Sequence, residues 1–150
     1  MSEALTGGCQ CGAVRFTVSG GRPPVYACHC RECQKQSASA FALSVPVARD
    51  RLTIEGETAT WQRLSASGAT TTCHFCPRCG TRLYHESSRS PERITIKGGA
   101  FDDTSWIAPQ AHLWVSRKQP WVMLDPDVPT HDTQPEDLSA WRDGLVGDWR

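Results

Sequence analysis

The sequence predicts a mostly β domain of short antiparallel strands with a C-terminal helix, and three observations predict it. Short runs alternate apolar and polar residues, as where Val14, Phe16 and Val18 share one face and Arg15 and Thr17 the other. Glycine and proline separate those runs, for example at Gly20-Gly21 and Pro23-Pro24. Near the end the period changes: Leu138, Trp141 and Leu145 fall at i, i+3 and i+7, one face of a helix.

The elements follow in order. Residues 13–18 read as a half-buried strand, and 25–30 as the strand returning from the glycine and proline break. Residues 34–40 are small and polar and suit a short helix or a tight loop. Strands are expected at 41–47 and 51–55, with Leu52 and Ile54 in phase, and at 58–64, with Trp61 as its bulk. Residues 70–84 read as a hairpin whose tip is the turn at 76–80. The run 93–97 alternates around Ile94 and Ile96, and 112–115 and 121–124 read as short late strands. Trp114 and Trp121 are expected in the core or against a pocket. Thr133-Gln134-Pro135-Glu136 has the form of a capping box with proline in the first turn, opening a helix over 133–147. That helix is expected to pack on the sheet, or on a neighbouring subunit in a homodimer. The whole, 1–150, is expected to be one domain with a core at roughly 7–130.

Composition narrows the function. The 150 residues are 39% hydrophobic and 21% charged, a globular balance. Lys+Arg and Asp+Glu are 16 each, and no basic block is present, which argues against a nucleic acid partner. No stretch is long and apolar enough to span a membrane. The opening MSEALTGG has neither the basic nor the apolar region of a secretory signal, so a cytoplasmic, reducing location is expected. Eight cysteines in such a compartment point to metal rather than to disulfides. Seven thiolates and two divalent cations would leave the neutral chain with roughly three negative charges.

Spacing separates the cysteines. Cys76-Pro77-Arg78-Cys79-Gly80 is a turn whose two thiolates can point into one tetrahedral zinc site, with Gly80 supplying a positive φ. Cys9-Gln10-Cys11-Gly12 places two cysteines on one side of an extended segment, about 6.6 Å apart, so that modest bending brings both to one ion. Cys9, Cys11, Cys76 and Cys79 together make a closed structural site. Cys28-His29-Cys30-Arg31-Glu32-Cys33 is a three-thiolate pincer with no obvious fourth local ligand. Either its fourth position is open, as in catalytic zinc sites, or His29 or Cys73 closes it. His29 lies between two same-face cysteines and should point away. Cys73 lies an odd number of residues before Cys76 and is expected to be a small buried hydrophobe.

Three motifs together resemble the GFA family, named for glutathione-dependent formaldehyde-activating enzyme and including centromere protein V. They are Gly8-Cys9-Gln10-Cys11-Gly12-Ala13-Val14-Arg15-Phe16, Cys28-His29-Cys30-Arg31-Glu32-Cys33-Gln34-Lys35 and Phe75-Cys76-Pro77-Arg78-Cys79-Gly80-Thr81. Gly99-Ala100-Phe101-Asp102-Asp103, Pro109, His112, Trp121 and Pro129 continue the similarity. Gln34 and Ala38 depart from it, standing near the usual Arg and Gly.

The resemblance implies a β-tent fold and two Zn2+ ions. One is structural, on Cys9, Cys11, Cys76 and Cys79; one is catalytic, on Cys28, Cys30 and Cys33. It implies a carbon–sulfur lyase that joins glutathione and formaldehyde into S-hydroxymethylglutathione, or a related thiol–aldehyde reaction. The partner is then a small thiol such as glutathione. His29 and Glu32 are the local candidates for moving a proton, and Arg31 and Lys35 for meeting a substrate carboxylate. The other functional classes are a non-catalytic zinc module that binds a macromolecule, and a metal buffer or redox sensor.

Overall fold

The computed structural model describes residues 3–65 and 67–145. It is mostly strand, in two sheets, as expected. The smaller is antiparallel: β1 (Leu5–Gly8), β2 (Arg15–Val18) and β5 (Leu52–Glu55), with β2 central. The larger contains β3 (Tyr26–Cys28), β4 (Ala42–Ala48), β6 (Ala59–Leu64), β7 (Thr70–Phe75), β8 (Arg82–Ser87), β9 (Arg93–Lys97) and β10 (His112–Leu113). Their spatial order is β10-β3-β4-β9-β8-β7-β6. Two short helices, α1 (Arg31–Ser37) and α2 (Leu138–Asp143), complete the set. Among the described residues no helix is long and apolar enough to cross a membrane.

The strand alternation makes the core. Phe16 and Val18 of the small sheet meet Val45, Val47, Ile94 and Ile96 of the large one, all buried. Burying each such side chain is worth about 1.5–3 kcal/mol. Register carries the opposite face of the large sheet elsewhere. Tyr26 sits opposite Ser44, Ser44 opposite Lys97, Thr95 opposite His85, and His85 opposite Cys73. Because alternate residues face opposite ways, this row of polar side chains turns from the core.

Several expectations are corrected. β3 does not return beside β2; it leaves for the large sheet and pairs with β4 and β10. Only two residues of the expected strand at 112–115 pair, and they do so parallel to β3. Residues 121–124 form no strand, and Trp121 is 69% exposed rather than in the core. Trp61 lies on the edge strand β6 and is 49% exposed. The helix starts at Leu138, capped by Asp137 Oδ1 accepting from the Ala140 N–H at 3.0 Å, not by Thr133. Thr133 is otherwise engaged, since its carbonyl accepts from the Trp114 N–H at 2.7 Å. Residues 146–147 of the expected helix lie outside the described residues.

That engagement has a purpose in the fold. The segment 129–133 runs along β10, with Pro129 O accepting from the His112 N–H at 2.9 Å and His112 O accepting from the His131 N–H at 2.8 Å. It covers the open edge of the sheet. Leu138, Trp141 and Leu145 then pack against Tyr26, Cys28 and Leu113. The Trp141 and Tyr26 rings meet edge to face at 5.3 Å, and Arg142 Nε donates to Tyr26 Oη at 3.1 Å. Asp143 pairs with Arg93 of β9. The expected packing of the helix on the sheet is therefore realised.

One ion pair fastens the small sheet to the segment that follows β9. Arg15 Nη1 donates to Asp102 Oδ1 at 2.9 Å, Arg15 Nη2 pairs with Oδ2, and Thr6 Oγ1 donates to Oδ2 at 2.7 Å. The hydrogen bonds from Arg15 and then Thr6 pull the Asp102 carboxyl down to about 2. A depressed carboxyl contributes stability above its unfolded pKa of about 3.9 and loses it as pH falls. Urea unfolding should therefore show Asp102→Asn less stable than the native protein at pH 6. The gap should close between about pH 4 and pH 2. A gap independent of pH would remove the ion pair as its cause.

Candidate functional site

The first thiol group lies where two turns meet. Cys9-Gln10-Cys11-Gly12 is a tight turn rather than the extended segment expected: the Gly12 N–H donates to Cys9 O at 3.2 Å and Gly12 has φ 83°. In the second turn the Gly80 N–H donates to Cys76 O at 2.9 Å and Gly80 has φ 80°, as the sequence requires. Backbone N–H groups point at sulfur, from Val14 to Cys9 Sγ at 3.2 Å and from Arg78 to Cys76 Sγ at 3.4 Å. Such donors favour the thiolate form. The Sγ atoms of Cys9, Cys11, Cys76 and Cys79 all lie within 4.8 Å of one another, so they could hold a metal ion. Cys9 to Cys11 is 3.6 Å and Cys11 to Cys76 is 3.7 Å. A tetrahedral ion bound at about 2.3 Å from each sulfur needs an edge of about 3.8 Å, so the group fits.

The second group is built at a strand-to-helix junction. β3 delivers Cys28, and Cys30 caps α1 with its Sγ accepting from the Cys33 N–H at 3.4 Å. The three Sγ atoms lie within 4.8 Å of one another and could also hold a metal ion. Their electrostatics show how much they need one. Hydrogen bonds from Cys28 and Cys33 pull the Cys30 thiol down to about 2. Its hydrogen bonds and those of Cys33, with burial, push Cys28 far up. Cys33 sits at about 11, lowered by the Cys28 hydrogen bond but raised more by Cys30 and burial. The three sulfurs oppose one another's ionisation, and a dication would let all three take the thiolate form.

Neither residue weighed as a fourth ligand belongs to the trio. His29 is fully buried, and its Nε2 lies 3.0 Å from His112 Nδ1. Burial first, then the charges of His112 and Lys118, lower its pKa to about 4, so its ring is neutral. It does not line the cavity and is not placed to carry a substrate proton. Cys73 is buried on β7, outside both groups. Gln34, at a departure from the family pattern, is a buried brace: its Nε2 donates to His29 O at 2.8 Å and Arg117 O at 2.9 Å. Ala38 holds the left-handed C-cap of α1 at φ 51°, a position at which glycine is unstrained.

The trio opens into a cavity of about 580 Å³ along the polar face of the large sheet. α1 and α2 form its rims, with Trp114, Leu138 and Arg142 on the α2 side. Arg31 and Lys35, the expected substrate-facing cations, are exposed and not on its wall. The cavity cations are Arg63, Arg82, Arg89, Lys97 and Arg142. Sequence reasoning missed them because isolated cations on strands, such as Arg63, Arg82 and Lys97, look like solvated faces until the sheet order is known. Cys73 and His85, treated as bystanders, also face this space.

Residues 4–117 match the family model described as "Glutathione-dependent formaldehyde-activating enzyme", abbreviated GFA. The chain belongs to the GFA family. It is 32% identical over 127 residues to a Halomonas elongata protein named "Putative glutathione-dependent formaldehyde-activating enzyme", covering 81% of each chain. Its fold is similar to the crystal structure of a Rhodobacter sphaeroides protein, with a TM-score of 0.54 and 18% identity over 84% of this chain and 99% of that one. Both cysteine groups fall inside the GFA match, whereas α2 falls outside it.

Since α2 walls the trio, Trp141→Ala should unseat it. Alkylation of Cys30 and Cys33 in the protein as isolated should quicken several-fold, with far-UV circular dichroism nearly unchanged. Equal alkylation rates would show that Trp141 does not shield the site.

Proposed function

We propose that this GFA protein is a two-zinc carbon–sulfur lyase that joins a small thiol to an aldehyde, with glutathione and formaldehyde as the reference pair. The observation that carries this reading is a three-thiol group, able to hold a metal ion, that faces a 580 Å³ cavity and has no fourth protein ligand among the described residues. In this reading Cys9, Cys11, Cys76 and Cys79 hold a structural ion. Cys28, Cys30 and Cys33 are the catalytic set, holding a second ion with one position free. The family description and the name of the Halomonas protein support the substrate pair.

When bound, zinc would supply the positive charge that lets a substrate thiol ionise at neutral pH and a fixed point for its sulfur. The chain provides the rest. Cys30, fixed by the Cys33 N–H, and Cys28, fixed by β3, hold the sulfur side of the cavity. Gln34 ties α1 to the backbone at His29 and Arg117, so the helix cannot swing away from the strand. α2 lines the mouth and packs its apolar residues against the cluster that includes Cys28. The new carbon–sulfur bond forms as the carbonyl π bond opens onto oxygen, and the proton lost by the thiol ends on the hydroxyl. Nothing is oxidised or reduced. Three thiolates leave a divalent centre at about −1, so orienting a thiolate outweighs polarising a carbonyl.

The test is metal content together with adduct formation, followed by carbon-13 NMR of labelled formaldehyde. Native protein should hold about two zinc ions per chain. Cys30→Ser should lose one, keep its melting temperature within a few degrees and lose the activity. Cys79→Ser should unfold at far lower temperature, because structural zinc in small domains contributes on the order of 10 kcal/mol. Two zinc ions with no adduct from any thiol–aldehyde pair would replace the enzyme reading with a binding module.

A further inference from the structure

The cavity wall facing the trio carries a cation that the fold has gone out of its way to aim inward. β7 and β8 pair Cys73 with His85 and His74 with Tyr84, but then Phe75 with Arg82, so Leu83 is an extra residue in β8. Strict alternation would put Arg82 on the same face as Tyr84, which is in the core. The bulge instead seats Leu83 and Tyr84 together in the core, at 1% and 8% exposure, and turns Arg82 to the cavity side with His85. Re-aiming a side chain is a recurrent use of bulges beside active sites.

Arg82 arrives there with unmet donors. Its Nε and Nη1 are buried and have no hydrogen-bond partner. Two of the other cavity cations are hydrogen-bonded, Arg89 donating to Ser67 O at 2.6 Å and Arg142 to Tyr26 Oη, and Arg63 has an anion nearby, its Nε lying 3.7 Å from Glu32 Oε2 though without a hydrogen bond. Lys97 Nζ contacts His85 Nδ1 at 2.8 Å, a neutral partner. Burial and the neighbouring Lys97 keep His85 well below its ordinary pKa, so the ammonium meets a neutral ring and no counter-charge. Burial likewise lowers Arg82 and brings Lys97 to about 8, opposed by Cys33 and Cys73 charge and, at Arg82, by a hydrogen bond with Cys73. Buried cations with unpaired donors are costly unless an anion completes them.

We propose that Arg82, backed by Lys97, is a carboxylate-binding subsite, so that the cavity selects thiols that carry a carboxylate. The sulfur of such a molecule reaches the trio while its carboxylate spans the sheet to Arg82. Lys97 lies two strands from β3 and Arg82 three, or roughly 10 and 14 Å at about 4.8 Å per strand. The reach of the two side chains shortens both spans to that of a small amino-acid thiol or peptide. The thiol half of this assignment rests on the proposed function; the anion half rests on Arg82 alone.

Calorimetric titration of the zinc-loaded protein at fixed ionic strength tests it, using N-acetylcysteine, its neutral amide, and sulfur-free N-acetylalanine. Native protein should bind the acid about tenfold or more tightly than the amide, the scale of a charge-assisted hydrogen bond. Arg82→Gln should reduce that preference to under about threefold while leaving amide affinity unchanged, and Arg82→Lys should restore part of it. Equal binding of acid and amide by native protein would overturn the subsite and leave the thiol site standing. So would an Arg82→Gln loss that is equal for both, which would make Arg82 a partner of Cys73 instead. If neither thiol outbinds N-acetylalanine, yet that acid still binds through Arg82, the subsite holds and the thiol reading falls. No binding of any of the three overturns the subsite.

Discussion

Like charges crowded into a small volume are the constraint on which this molecule turns. Thiolates about 4 Å apart repel by about 4 kcal/mol per pair at the effective dielectric of a protein surface. The protein nonetheless draws seven sulfur atoms into two groups, each within 4.8 Å. It prepares the groups differently. The quartet is wrapped by two turns whose N–H groups point at sulfur, and it ties the beginning of the chain to the β7–β8 hairpin. The trio has fewer such donors and one open side. A closed quartet suits a fastening, and an open trio suits chemistry, because only the second leaves a position for something from outside.

The sheet makes these roles compatible. One face of the large sheet packs on the small sheet and pays for the fold with Val45, Val47, Ile94 and Ile96. The other face is released from that duty and can carry Lys97, His85 and Cys73 at positions that in a thicker protein would be apolar. A polar row beneath a cavity is tolerable because water, or a ligand, can reach it.

Much of this was legible in the sequence where the chemistry is local. Cysteine spacing gave both groups, and the glycine after Cys79 gave its turn. The placement of His29 away from its flanking cysteines followed from alternation alone. What was not legible depends on partners distant in sequence. The pairing of β3 with β4 and β10 cannot be read from 25–30. The Thr133 cap failed because its carbonyl was taken by Trp114, and Asp137 supplied a free carboxylate closer to the apolar stripe. Trp121 reads as core by size yet lies outside, beside Met123 at 90% exposure. Arg82 was hidden most deeply, since a single inserted residue reverses the side its side chain occupies.

The parallel closure of β10 on β3 also fixes an order of assembly. A chain made from its N-terminus has every sulfur of the quartet once Cys79 has emerged. The trio is made earlier still, but its walls come from Leu113 and Trp141. During synthesis the three thiols that line the cavity are therefore the ones longest without their walls. A nascent chain that captures its ion at Cys28, Cys30 and Cys33 early is protected from oxidation during that interval; one that does not is at risk where replacement is hardest.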